Sequence, residues 1–264
     1  MSWSRWAVPA LLLATSQLCS CADSGTGGAA VQFEMAVISA PDPGEDLGTF
    51  TTRSGYRVQL SEARIALGPI YLYENPPPVA RAPGPLRRLW DVLVPSAYAH
   101  PGDQHFAGGA VKGEFLEQVV LDGLTDERLD LGVVQGVAGP ARSFSVLLEP
   151  PRSTEASSLL HGHHAYVVGT AEKDGMSYSF EGGLDIPNEG TLRKVEGIPL
   201  DAELEQGTRV TIELHLSRWF ADADFARLST VAPSGGYVID EQSQVRGAWF
   251  IGARSFDTFS ASVE

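Results

Sequence analysis

From Val31 onward, apolar side chains recur at every second position. Val31, Phe33, Met35 and Val37 are separated by Gln32, Glu34 and Ala36, and the same beat returns at Tyr56, Val58 and Leu60, at Ile65 and Leu67, and at Ile70 and Leu72. In an extended chain this period puts alternate side chains on opposite faces, so each run predicts a strand with one buried face. Runs at 116–121, 142–148, 165–171, 177–180, 210–216 and 248–253 read the same way, and most are bounded by Gly, Pro, Asp or Asn. About eight or more strands at such spacing predict an all-β fold, an immunoglobulin-like antiparallel β-sandwich.

Two stretches break the beat. Residues 75–110 open with Asn75-Pro76-Pro77-Pro78 and continue through Pro83 and Pro85, which predicts a proline-rich excursion away from the sheet. Inside it Leu86, Leu89, Trp90, Leu93 and Val94 fall at helical spacing before Pro95. Trp90 there either caps an open end of the sandwich or meets a partner protein. The second break, Arg218–Leu228, carries Trp219, Phe220, Phe225 and Leu228 as candidate core plugs on a short helical insertion. Asp222 and Asp224 alternate within it, but the glycine and glutamate of a calcium loop are absent, so they read as a solvated acidic face.

The amino terminus has a different character. Arg5 precedes an apolar run from Ala7 to Leu13, far short of the roughly 20 residues a membrane helix needs, so residues 1–20 read as a secretory signal. It ends in Leu18-Cys19-Ser20-Cys21, the pattern of a bacterial lipobox, with Cys21 in the position that receives lipid. Residues 21–30, rich in Gly, Ser and Thr, form a flexible tether, and residues 31–264 a single domain. Ala22 follows the anchor where an aspartate would signal retention in the inner membrane, which points to the outer membrane of a bacterial envelope. The lipid is then the chain's only membrane contact.

Charge narrows the partners. A net charge of −14 in 264 residues argues against binding nucleic acid or an anionic lipid face. The nucleophile-elbow, zinc-protease, phosphate-loop and dinucleotide motifs are absent from the sequence, so the reading leans away from an enzyme.

Candidate chemistry lies in the histidines. His161-Gly162-His163-His164 puts three imidazoles within four residues, and His100 and His105 flank Pro101-Gly102-Asp103-Gln104. An i, i+2 pair at a strand start would turn His161 and His163 to one face, with His164 on the other. His100, His105 or His215, the last in the run 210–216, would complete the ligand set by tertiary contact. With no thiolate free, imidazole and carboxylate donors favour copper(II) or zinc.

The order of the strands Phe33–Val37, Ala63-Arg64-Ile65-Ala66-Leu67-Gly68, Ser143-Phe144-Ser145-Val146 and Tyr166-Val167-Val168-Gly169 resembles the periplasmic copper-binding β-sandwich lipoproteins that accompany methanobactin clusters. That resemblance implies an extracytoplasmic copper-binding role, in some members with a tryptophan oxidised by a partner enzyme, and it assigns no ligand to a residue here. Two functions follow from the sequence: a lipoprotein that binds copper or zinc through the histidine cluster, or a structural or interaction lipoprotein of the envelope with no metal site. In the producing bacterium, labelled palmitate is expected on the wild-type chain and not on Cys21→Ala; equal labelling of both would refute the anchor.

Overall fold

In the computed structural model, residues 28–77, 108–233 and 235–264 are described. The signal, Cys21, most of the tether, Trp90, His100 and His105 lie outside them. In chain order the strands are β1 (Ala30–Ser39), β2 (Thr49–Thr51), β3 (Arg57–Leu67), β4 (Ile70–Tyr73), β5 (Val111–Phe115), β6 (Val119–Asp122) and β7 (Leu129–Val137). There follow β8 (Gly139–Leu147), β9 (Ala165–Lys173), β10 (Met176–Leu184), β11 (Lys194–Leu204), β12 (Arg209–Leu214), β13 (Tyr237–Val238) and β14 (Phe259–Val263). Among the described residues three α-helices interrupt them: α1 (Thr154–Leu159), α2 (Leu216–Trp219) and α3 (Gln244–Ala253).

The strands form two sheets. One runs β11-β8-β4-β5-β7-β1-β12-β14, and the other β13-β10-β9-β3-β2, with β6 pairing the far end of β3. The alternation seen in the sequence is what closes them on each other. Phe33, Met35 and Val37 of β1 and Val58, Leu60, Ala63 and Ile65 of β3 are buried in one continuous core. The fold is an all-β sandwich. Its pairing is not wholly antiparallel: β12 lies parallel to β1, with Met35 opposite Val210, and β13 parallel to β10. Parallel neighbours need a long crossover between them, and residues 40–208 lie between β1 and β12. β1 begins at Ala30, and the carbonyl of Ala29 already accepts from Ala138 N at 2.8 Å.

Local sequence explains most elements, and one correction. The run 248–253, expected to be a strand, belongs to α3. Ser243 caps that helix, its side chain accepting from Arg246 N at 3.1 Å, and Val245, Trp249 and Ala253 are buried one turn apart. In Ala248-Trp249-Phe250-Ile251 apolar residues occupy both parities, so period two is satisfied by accident. Phe250 sits between the Arg246 and Arg254 guanidinium groups, 5.8 and 5.0 Å from its ring centre. The run 116–121 shortens to β6 because Leu116 is exposed ahead of it.

The insertion after β12 plugs the core as expected. Trp219, Phe220 and Phe225 are fully buried, and Phe220 packs on Trp249 with ring centres 5.1 Å apart. Asp222 pairs with Arg53 at 2.8 Å, and Asp224 accepts from the Tyr56 hydroxyl at 2.8 Å. Among the described residues no helix is long and apolar enough to cross a membrane.

α3 can approach α2 because position 252 is glycine: a Cβ there would overlap the Trp219 carbonyl, whereas one at Gly247 would meet open space. Alanine is favoured over glycine in a helix by about 1 kcal/mol. Gly247→Ala is therefore expected to raise the urea midpoint slightly. Gly252→Ala should lower stability by about 1–3 kcal/mol through overpacking. A raised midpoint for Gly252→Ala would show that the two helices do not touch there.

Candidate functional site

The histidine trio occupies the turn between α1 and β9 and not a strand start, since β9 begins at Ala165. Ser153 caps α1, its side chain accepting from Ala156 N at 3.0 Å, and the helix ends in a tight reversal. His161 and Gly162 take left-handed backbone angles there, φ 50° and 84°, and His163 N donates to Leu160 O. The turn separates the three side chains. His161 is exposed, with its ring centre 4.1 Å from that of Tyr166. His163 stacks on the same tyrosine at 6.3 Å, nearly parallel. His164 is buried, 5% exposed, and its backbone N–H joins Leu184 O at the end of β10.

Asp185, the residue after β10, meets this turn. Its Oδ2 lies 2.8 Å from His163 Nδ1, and its Oδ1 lies 3.5 Å from His164 Nδ1. Arg246 of α3 donates to the Asp185 backbone carbonyl. Gly183 is what lets the imidazole lie so close to β10, because a Cβ there would overlap the His163 ring. His163, Tyr166, Glu181, Asp185, Asp240 and Arg246 line a cleft of about 380 Å³. Asp185 was not singled out from sequence. The available signal was Gly182-Gly183 at the end of a strand, since paired glycines in a sheet mark a close approach.

His215 sits elsewhere, just past β12 and heading α2, 8% exposed. Its Nε2 is 2.8 Å from Ser260 Oγ, and Ser260 in turn donates to Glu213 Oε2 at 2.8 Å. Nδ1 faces Asp42 Oδ1 at 3.6 Å, while Ser217 and Arg218 donate to the same carboxylate. Asp42, His215 and Ser260 thus have the sequence of contacts of a hydrolase triad, but a carboxylate only accepts. The Ser260 proton points to Glu213, and Nε2 is left as donor to Ser260 rather than as its base. No hydrogen bond or ion pair described here joins His215 to His161 or His163. His161 and His163 each lie against the Tyr166 ring but border different clefts. Among the described residues no group of three or more His, Cys, Asp or Glu side chains is arranged to hold a metal ion.

No protein-family model and no curated protein matches the chain. A solved structure does. It is MbnP from Methylosinus trichosporium, 11% identical, with a TM-score of 0.41 over 89% of this chain and 98% of that one. The likeness to MbnP is one of overall layout, as the resemblance read from the sequence was, and it gives no residue here a role.

Electrostatics separate the buried imidazoles from ordinary ones. Burial, helped by Arg193, pushes His164 below the usual imidazole value. Burial likewise lowers His215, reinforced by Arg218 and opposed by Asp42 and Glu213. Burial raises Asp42, but hydrogen bonds from Arg218 and Ser217 outweigh it and hold the carboxyl below its ordinary 3.8.

The sign for His215 follows from its lowered value. The unfolded chain takes up a proton near 6.5 that the folded chain resists, so this stability is complete above 6.5 and lost as pH falls from there to the folded value. Asp42 adds a second loss, beginning below 3.8. Urea midpoints measured from pH 7.5 to 3 should fall first below 6.5, and His215→Gln should flatten that first decline. Parallel curves for the two proteins would show that His215 titrates alike in both states.

Proposed function

We propose that this chain is an extracytoplasmic, lipid-anchored protein of the bacterial envelope that binds a transition-metal ion, copper(II) before zinc, through His161 and His163. The observation that carries the reading is the placement of both imidazoles on one tyrosine ring, Tyr166, at the protein surface. Imidazole and carboxylate donors suit a borderline ion such as copper(II), which needs no thiolate. The two imidazoles suit such an ion in kind; His163 borders the cleft with Glu181, Asp185, Asp240 and Glu241, and His161 borders a separate one. Two protein donors leave the other positions to water or an incoming ligand, which suits an exchangeable ion better than a structural one. An acidic surface favours accumulation of cations near it.

The test is a titration of tag-free protein beginning at Ala22 with copper(II) and with zinc. Wild type is expected to take up about one equivalent of copper(II), lost in His161→Ala/His163→Ala. Equal uptake by both proteins, or none by either, would reduce the histidines to surface side chains and leave the interaction role as the function.

A further inference from the structure

We infer that the outward face of α3 is where a second copy of this chain docks, the two helices lying antiparallel across a two-fold axis. Between Gln244 and Ala253 the helix has one charged residue, Arg246, in a chain that is 20% charged. A helix apolar nearly all round is one covered on both sides. Val245, Trp249 and Ala253 account for the inner side, and Gly252 lets that side lie on α2. On the outer side Gly247 and Ile251 stand one turn apart, and Ile251, 70% exposed, is the most exposed of the large apolar residues described. With Gln244, Ala248 and Asp222 they line an open cleft of about 320 Å³. The four helix positions have the i, i+3, i+4, i+7 spacing of a packing seam. Phe256, just past the helix, is 57% exposed.

Charge selects a second copy as the occupant. Arg254, at the carboxyl end of α3, has its Nε on the Leu192 carbonyl at 2.8 Å and its guanidinium over Phe250, and no carboxylate offsets its burial. Glu241, just ahead of the amino end, is exposed and has no described side-chain hydrogen bond or ion pair. Arg246, which feels the Glu241 charge, donates to the Asp185 carbonyl. The other acid at that end, Asp222, is paired with Arg53.

The two ends of one α3 are about 15 Å apart, too far to pair with each other. Turned antiparallel on a two-fold axis, each Arg254 faces the Glu241 end of the other copy. Each Ile251 then faces Gly247 of the other copy, where a Cβ would meet open space. A parallel pairing would set acid against acid and arginine against arginine. The same patch serves both copies, which closes the assembly at two. One helix face is small for an interface, so the dimer is weak and concentration-dependent.

The test uses the chain from Ala22, which keeps every described residue. Sedimentation equilibrium from micromolar to millimolar protein is expected to show a monomer–dimer equilibrium that weakens as salt is added. Ile251→Ser, which removes a side chain outside the core, should weaken it about 100-fold. Glu241→Arg and Arg254→Glu should each be monomeric alone. An equimolar mixture of the two should associate, because both contacts across the axis are then between opposite charges.

A wild type that stays monomeric at millimolar concentration would overturn the inference and leave another protein as the cover of this face. So would a dimer undiminished by Ile251→Ser, or a mixture that stays monomeric while both variants keep the wild-type circular dichroism. Should Arg254→Glu melt early through loss of its Leu192 and Phe250 contacts, Ile251→Ser and Glu241→Arg decide: an undiminished dimer in either would overturn the inference.

Discussion

The contact between the backbone of Trp219 and the bare face of Gly252 sets the position of helix α3, and much else follows from that position. With no side chain at 252 the helix lies directly on the plug that follows β12, burying Trp249 against Phe220. One turn and a half earlier, the same helix carries Arg246, whose guanidinium reaches the carbonyl of Asp185. Asp185 meets His163. A chain of contacts thus runs from the packing at the end of the sandwich through one arginine to the histidine turn.

How much of this could be read from sequence depended on whether the decisive contact was local. The strands around Phe33, Val58, Ile70 and Val167 were legible because each buries one face, and burial writes period two directly into the chain. Strand β7 was not, because Gly132 and Gly136 interrupt its beat and Val133 is exposed where an inward residue would be expected. The helix α3 was misread because its apolar residues are too dense to favour one period, and the deciding signal was the cap at Ser243. For the site, the His161-Gly162-His163 cluster was visible as composition, but its backbone is a left-handed turn that the residues alone do not announce. Asp185 was invisible as a partner because it lies far along the chain and meets His163 only when β9 and β10 pair.

Three histidines illustrate how environment, and not residue type, assigns a role. His215 is enclosed by Asp42, Ser260 and Arg218, with its Nε2 engaged and its basicity lowered by burial. His164 is buried with neither ring nitrogen within hydrogen-bond geometry of a partner, and burial keeps it neutral. His163, one residue earlier, is half-buried, has a carboxylate on Nδ1 and lines the cleft. Adjacent positions in a turn thus give one imidazole enclosed by the protein and one paired with a surface carboxylate.

The parallel pairing of β1 with β12 has a consequence for how the chain is made. The first strand has β7 on one side, but its other side stays unpaired until residues near 210 have been synthesised. Contacts so distant in sequence form late, because the long loop between them must close first. Until then the chain carries an open strand edge, the kind of edge that can pair with another copy.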